Sequence, residues 1–457
     1  MNSRGGLSDE TLTRAHEALL GWQQARRIPG MAVVVTDPSG TRLAAVSGHA
    51  DLGTGHRLSA DQRWQIGSVS KAFCAVVLLQ LQQEGRLDLG DPLVRHLPWA
   101  SVRDEVTLHH LLTHTSGLAS GPMGLTESLA GPVRIGRLGR PQPPGRAYHY
   151  SNAGYEALGD VVEAVTGSGI DAVLEGRVLH PLGMTGSAGA IRPADRDHDV
   201  RGHRPPRDDI AWTSATGQVP DMWFRSVTAD GSIVATPDDV AAYLQFLIAG
   251  SAPGVLDADG FAKLSGRHVR VDETTWYGYG LDVGSDPLGT TVGHSGGMVG
   301  MVCDVRVDRE RAIGCAILVN GFADVSRANR ALATAVRGGD LAALAELDTA
   351  PPSDQVDDDA SGPASWQQVA GQYRAYNPWH PALCVVRVDG ALYLADPVQR
   401  WREPLVALDV PADSRTLSFA VGGPDSPELA RFDLPVHGQF QQLDVSGDVY
   451  RRARRLF

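Results

Sequence analysis

Apolar positions divide the chain into stretches of helical spacing, stretches of strand-like alternation, and polar or Gly/Pro-rich passages between them. Residues 8–27 carry the spacing of an amphipathic helix that opens at Ser8. Met31–Asp37 and Arg42–Gly48 are strand-like, with Pro38-Ser39-Gly40 as the turn between them. From Ser68, the residues Ala72, Val76, Leu79 and Leu81 keep helical spacing as far as Gly85, a C-terminal stop, so Ser68 is expected to open a buried helix. Residues 86–225 promise short helical stretches among Gly/Pro-rich loops. Another helix is expected at Asp238–Ala249, then strands at Tyr279–Val283, Thr290–Gly293, Met298–Val307 and Ala312–Asn320. A last helix covers Val325–Leu347, interrupted at Gly338-Gly339. Both ends of residues 1–349 thus build an α/β lobe, with a helical lobe inserted between them.

The pattern changes after residue 349. Ala350–Ala364 is rich in Pro, Ser and Asp, with aspartates at 357–359, and is expected to be a solvated linker. Residues 365–457 hold short alternating strands at Leu383–Val388, Ala391–Ala395, Leu405–Leu408, Thr416–Val421, Ala430–Leu434 and Gln441–Val445, and no strong helix. A small all-β barrel or sandwich fits them. No internal repeat is visible.

Composition narrows the partners. A net charge of −12 over 457 residues argues against nucleic acid and anionic membrane. Met1–Glu10 lacks the apolar core of a secretory signal, and runs such as Cys74–Leu79 are too short to span a bilayer. Cys74, Cys303, Cys315 and Cys384 show no metal-ligand spacing. Cys303 and Cys315 could face each other across a hairpin, but reduced core thiols are the expectation. These features together lead to a cytoplasmic assignment.

Of 41 basic residues, 39 are arginine; the two lysines are Lys71 and Lys263. Lys71 stands in Gly67-Ser68-Val69-Ser70-Lys71. Arginine does not release its proton in a protein, whereas a buried or crowded lysine does. Three residues apart on a helix, Ser68 and Lys71 share a face, the geometry an amine needs to take a proton from a hydroxyl nucleophile. A lysine surviving by chance on a solvated helix face is the bland alternative.

Two further segments give Ser68 a context: Tyr148-His149-Tyr150-Ser151-Asn152, and Gly293-His294-Ser295-Gly296-Gly297. The order Ser-x-x-Lys, Tyr-x-Asn, His-x-Gly resembles the serine β-lactamase and penicillin-binding protein superfamily, nearest to class C β-lactamases, DD-peptidases and their esterase and transacylase relatives. Leu111–Leu118, His180–Met184 and Tyr277–Leu281 also look like that family, and the resemblance spans roughly residues 20–345. It implies an α/β fold in which an antiparallel sheet is flanked by helices with an inserted helical lobe, and it pairs naturally with a lipocalin-like C-terminal barrel. It also implies roles. Ser68 forms the acyl-enzyme, and Lys71 and Tyr150 activate it, either one as the formal base. A phenol ordinarily loses its proton near pH 10, so such a tyrosine needs a positive neighbour. Asn152 positions Lys71 and the substrate, the backbone N–H groups of Ser68 and Gly297 form the oxyanion hole, and Ser295 and Gly296 line the substrate edge.

His294 departs from the family pattern. β-Lactamases usually carry Lys-Thr-Gly where this chain has His294-Ser295-Gly296, and histidine is not a permanent cation near neutrality. This disfavours β-lactam hydrolysis and favours peptidase, esterase or transacylase chemistry. Competing readings remain. Gly293–Gly297 also fits a Gly-x-Ser-x-Gly nucleophile elbow, but that elbow needs a helix after Ser295, and Met298–Val307 is strand-like. Ser70 adjoins Lys71 but points elsewhere. His109, His110 and His114 lack matching metal-ligand spacing, so a capped turn is expected and no metal or cofactor. Trp212, Met222, Trp223 and Phe224 either line an acyl pocket or pack the lobe. Arg451, Arg452, Arg454 and Arg455 either meet a substrate carboxylate or form a solvated end.

The leading expectation is a serine hydrolase cleaving an amide or ester of a small molecule or peptide through acyl-Ser68. The second is an acyltransferase or peptide cyclase, with a carrier-bound acyl peptide as a candidate substrate. The third is a catalytically silent penicillin-binding receptor, which would have no use for Lys71 and Tyr150.

Overall fold

The side-chain oxygen of Ser8 accepts a hydrogen bond from Thr11 N and so caps helix α1 (Asp9–Ala25). In this computed structural model the described residues are 7–102, 105–119, 141–208, 214–223, 225–286, 289–348, 358–377, 379–398, 402–408 and 416–453. The chain divides into two units: residues 1–91, 158–206 and 214–350, and residues 92–157, 207–213 and 351–457.

In the first unit a nine-stranded antiparallel sheet gathers both ends of residues 1–349. Its strands are β1 (Gly30–Asp37), β2 (Gly40–Asp51), β3 (His56–Arg57), β4 (Val269–Arg270), β5 (Thr275–Tyr277), β6 (Asp282–Asp286), β7 (Gly289–Met298), β8 (Met301–Asp308) and β9 (Ile313–Val319). Their spatial order is β3-β2-β1-β9-β8-β7-β6-β5-β4. The first and last parts of this lobe meet where β1 pairs with β9, from Met31 opposite Val319 to Thr36 opposite Gly314. Met31–Val35 are buried in succession because both sheet faces are covered. On one face α1 packs Leu12, Ala15, Leu19 and Trp22 against Met31, Val33, Ile317 and Val319, together with a later helix, Val325–Gly338. The Pro237–Ala249 helix, opened by a capping box between Thr236 and Asp239, also packs on β1.

Helix α2 (Ser70–Gln83) is buried on every side from Ser70 to Leu81. The expected start at Ser68 is refined: Gly67–Val69 forms a 3₁₀ turn that carries Ser68 and leads into α2. Two other expectations are corrected, and the expected reduced thiols are found. Tyr279–Leu281 is not strand; pairing begins at Asp282, after a left-handed Gly280 at φ +71°. Cys303 lies opposite Leu318 and Cys315 opposite Arg306, so the two thiols do not face each other, and all four cysteines are free. Residues 86–225 include a 15-residue helix, Asn152–Thr166, longer than the stretches expected there. Its Gly154 and Gly159 mask the helical pattern, yet they leave it packed: a Cβ on Gly159 would sit 2.9 Å from Ala229 Cβ.

The second unit contains a closed eight-stranded barrel. Its strands are β10 (Gly371–Arg374), β11 (Ala382–Val388), β12 (Ala391–Ala395), β13 (Arg402–Ala407), β14 (Leu417–Val421), β15 (Leu429–Val436), β16 (Gln439–Val445) and β17 (Asp448–Arg452). Alternate residues fill the interior: Leu383 and Val385, Leu392 and Leu394, Phe419 and Val421, Phe432, Leu443 and Tyr450. The pattern of apolar residues missed β10 and β17, the pair that closes the barrel through Tyr373 opposite Arg452. Arg451 and Arg452 are therefore strand residues, Arg451 exposed and Arg452 half-buried, while Arg454 and Arg455 lie outside the described residues. The Arg452 guanidinium lies over the Tyr373 ring and donates to Tyr373 Oη at 3.1 Å and to Phe440 O at 3.1 Å. The aspartate run is only partly solvated: Asp358 pairs with Arg387 at 2.6 Å, and Asp359 accepts from Asp389 N at 2.9 Å.

Candidate active site

Ser68 stands at the turn before α2, so its backbone N–H is not consumed by a strand ladder. Gly67 makes this turn feasible. Its φ is +51°, and a Cβ there would lie 2.7 Å from Gly297 N and 2.6 Å from Gly297 O. The turn is thus pressed against the end of β7. Gly296 allows the same approach from the strand, since a Cβ on it would meet Ile66 O at 2.0 Å. Gly297 itself is exposed, and the space where its Cβ would lie is open. The geometry brings the Ser68 and Gly297 backbones together beside open space.

Lys71 is fully buried. Its Nζ lies 3.0 Å from Ser68 Oγ and donates to Asp230 O at 2.9 Å. Residues 230–233 wrap the start of α2: Ile233 N donates to Ser70 Oγ at 3.2 Å, which assigns Ser70 to holding that loop. Sequence reasoning missed the Asp230 carbonyl because a main-chain acceptor leaves no side-chain signature. Cys74, one turn along, is buried, and its thiol is pushed up to about 12, so it is no rival nucleophile.

His294 is buried on β7, 5% exposed. Its Nδ1 is 2.5 Å from Ser295 O and its Nε2 is 3.1 Å from Tyr277 Oη. A carbonyl only accepts, so Nδ1 carries the proton and Nε2 accepts from the tyrosine when the ring is neutral. Burial lowers the pKa of this ring below its ordinary 6.5; Lys71 and Arg306 add to that, and Asp282 opposes it. Ser295 lies within β7, opposite Asp304 on β8. A residue inside a ten-residue strand does not sit on the strand-to-helix elbow that a Gly-x-Ser-x-Gly nucleophile requires.

Tyr150 and Asn152 belong to the second unit, where His114 organises their surroundings. His114 is buried with φ +56°. Its carbonyl accepts from His149 N at 2.7 Å, its Nδ1 accepts from Ser151 N at 3.0 Å, and its ring lies 4.3 Å from that of Tyr150. Ser151 Oγ accepts from Gly154 N at 3.2 Å and so fixes the start of the helix that begins at Asn152. His110 closes a capping box with Thr107. His110 and His114 thus have structural partners, and no cluster of three or more metal-ligating side chains occurs among the described residues. Trp223 packs on Ala188, Ile191 and Val234, with Arg196 4.9 Å over its ring. Phe224 and Trp212 lie outside the described residues.

The family model for beta-lactamase matches residues 13–338. The chain belongs to the beta-lactamase family. This family of serine hydrolases shares the mixed α/β architecture described above. The beta-lactamase-family chain is 30% identical over 316 residues to "Penicillin-binding protein 4" of Amycolatopsis lactamdurans, covering 64% of this chain and 81% of that protein. It is 27% identical over 192 residues to "Protein flp" of Staphylococcus aureus (strain COL), covering 39% of each. Among solved structures, the octameric penicillin-binding protein homologue from Pyrococcus abyssi superposes with a TM-score of 0.63 at 20% identity, over 96% of this chain and 100% of that one. SurE matches with a TM-score of 0.55 at 23% identity, over 97% and 99% of the two chains. EstCE1, described as a hydrolase with promiscuous acyltransferase activity, matches with a TM-score of 0.58 at 20% identity, over 73% and 98%. At these identities the likeness concerns the fold. No helix among the described residues is long and apolar enough to cross a membrane.

Proposed function

We propose that this protein cleaves an amide or ester bond through an acyl-Ser68 intermediate. The observation that carries the reading is the 3.0 Å contact between Lys71 Nζ and Ser68 Oγ, on a turn that abuts the Gly297 backbone. Ser68 Oγ gives its proton to the base, Lys71 or Tyr150, and bonds to the substrate carbonyl carbon. The tetrahedral oxyanion is held by the N–H groups of Ser68 and Gly297. The leaving group takes up the proton and departs; water then attacks the acyl ester, and the acid product and Ser68 hydroxyl are restored. Asn152 positions Lys71 and the substrate in this scheme. A binding-only receptor would gain nothing from an amine buried beside the serine.

The substrate is a small molecule or peptide, and the compartment proposed is the cytoplasm. The lowered pKa of His294 argues against β-lactams, because a neutral imidazole offers no fixed cation to their carboxylate. Acyl transfer or cyclisation is the second reading. It is favoured by the described activity of EstCE1, which shares this fold. Product partitioning tests the choice: an activated acyl ester is supplied with rising amine or alcohol. Free acid as the main product is expected. Saturable diversion to the acceptor would replace hydrolysis with transfer, and a cephalosporin turned over at about 10 per second would sink the inference from His294.

A further inference from the structure

We propose that the C-terminal barrel holds Tyr150 in its working position through the hydrogen bond between His149 and Glu428. The proposal rests on the reading that Tyr150 takes part in acylation of Ser68, and it gives the barrel a part in that reaction.

Within the second unit the Tyr148–Tyr150 run is gripped from two sides. On one side stands His114. Its ring lies 5.8 Å from that of Tyr148 and 4.3 Å from that of Tyr150. The side chain between them engages a different partner: His149 Nε2 is 2.9 Å from Glu428 Oε1. Tyr148 and Tyr150 therefore lean on His114, while His149 is tied to the barrel. A backbone displacement of this run that carried Tyr150 away from His114 would strain the histidine–carboxylate contact as well.

Glu428 is a stiff anchor. It immediately precedes β15, in the hairpin that follows β14. Its N–H donates to Ser426 Oγ at 3.2 Å, and its carbonyl accepts from Val421 N at 3.1 Å, which closes the hairpin below it. The next residue is fixed too, since Leu429 N donates to Ser446 Oγ at 3.1 Å. The pair is partly shielded, with His149 and Glu428 side chains 25% and 15% exposed. A second pair on the same hairpin, Arg146 to Asp425 at 3.1 Å, is 56% and 65% exposed. It is screened by solvent and serves to align the surfaces; it does not carry the effect. Two acidic residues on one barrel turn thus meet two basic residues within the five positions that end at Tyr150.

The energetics fit a positioning role. A phenol that must accept or relay a proton needs its oxygen fixed to a fraction of an ångström, and small displacements are costly in rate. Loss of Glu428 removes the barrel's side-chain hold on the run and leaves that of His114 in place. The consequence is a lower acylation rate, with little change in how substrate is bound.

The test uses the full chain and a chromogenic activated ester, with acylation read from the pre-steady-state burst. Glu428→Ala and His149→Ala are each expected to lower the acylation rate about tenfold, with KM within about twofold. The double variant should lose no more than either single one, because both remove the same contact. His149→Gln, whose amide still donates to Glu428, should recover most of the rate lost in His149→Ala. Single losses that multiply in the double variant, a rate within about twofold of wild type, or a lowered melting temperature with unchanged acylation would each overturn the proposal. Tyr150→Phe separates the two levels. If it abolishes acylation while the Glu428 and His149 variants are silent, only the barrel's role fails. If it acylates at the wild-type rate, the role assigned to Tyr150 fails, and the positioning inference fails with it.

Discussion

At the scale of single residues the two lysines stand apart. Lys263 is near the end of a short surface helix, and Lys71 is enclosed beside Ser68. Ser68→Ala should abolish labelling by a fluorophosphonate, read by mass spectrometry of the intact protein; a label found on Ser295 instead would refute the assignment. Lys71→Arg should be nearly as damaging as Lys71→Ala, since arginine keeps charge but neither yields a proton nor fits the space. Retention of more than about a tenth of the rate, a barrier change under about 1.4 kcal/mol, would reduce Lys71 to an electrostatic role. His294 makes a separate prediction about stability. Its folded pKa is below the ordinary 6.5, so the unfolded chain takes up a proton that the folded chain refuses. The resulting stabilisation is complete above the unfolded value and is lost as pH falls through it toward the folded value. Buried His203 and half-buried His110 and His16 act in the same direction. Asp448, whose carboxyl burial pushes up to about 6, acts the other way in the same window, so the check is differential: between pH 7 and 5.5, His294→Gln should lose less melting temperature than the wild type. An unchanged slope would mean that His294 does not titrate as described.

At the scale of elements the site is a junction between the Gly67–Val69 turn and β7. Two glycines at this junction should behave differently. Gly67→Ala combines a left-handed backbone with collision against Gly297, and should cost about 1–3 kcal/mol and displace Ser68. Gly297→Ala meets nothing within 4 Å and should leave stability within about 0.5 kcal/mol of wild type. Denaturant titration of both variants checks this contrast; equal destabilisation would contradict the packing described. The β-branched and aliphatic run of β1, buried throughout, provides the rigid sheet against which such a junction can be held.

At the scale of the whole molecule the proposed organisation is a catalytic domain over 1–349, a linker over 350–364 and a barrel over 365–457. Limited proteolysis should cut first in the linker, upstream of Asp358, whose carboxylate is held by Arg387. A chain ending at 349 should stay soluble but acylate slowly, because the Glu428 anchor is gone. An insoluble truncation would show that the two parts share a core and would displace the boundary. The chain gathers residues 92–157, which carry the Tyr-x-Asn segment, with the barrel in one unit, a grouping that cuts across this proposed order.

The sequence alone determined the elements whose signal is local. The capped start of α1, the apolar run of β1, the buried α2 and the alternating barrel strands follow from spacing and cap residues, which act within a few positions of one another. It also determined the order of the three motifs, because each is a short run of chemically distinctive side chains. What it left to the tertiary structure depends on contacts between residues far apart in the chain. The closing strands β10 and β17 carry too few apolar residues to announce themselves, and the Arg452–Tyr373 contact joins them only once the barrel forms. The Asp230 carbonyl that holds Lys71, the His114 ring behind Tyr150 and the Glu428 carboxylate on His149 are invisible to periodicity. In each, a backbone or side-chain partner is supplied by chain closure across 159, 36 or 279 residues. His294 shows the division most plainly: its place in the motif is written in the sequence, but only its burial in the fold, beside Tyr277, lowers the pKa of its ring.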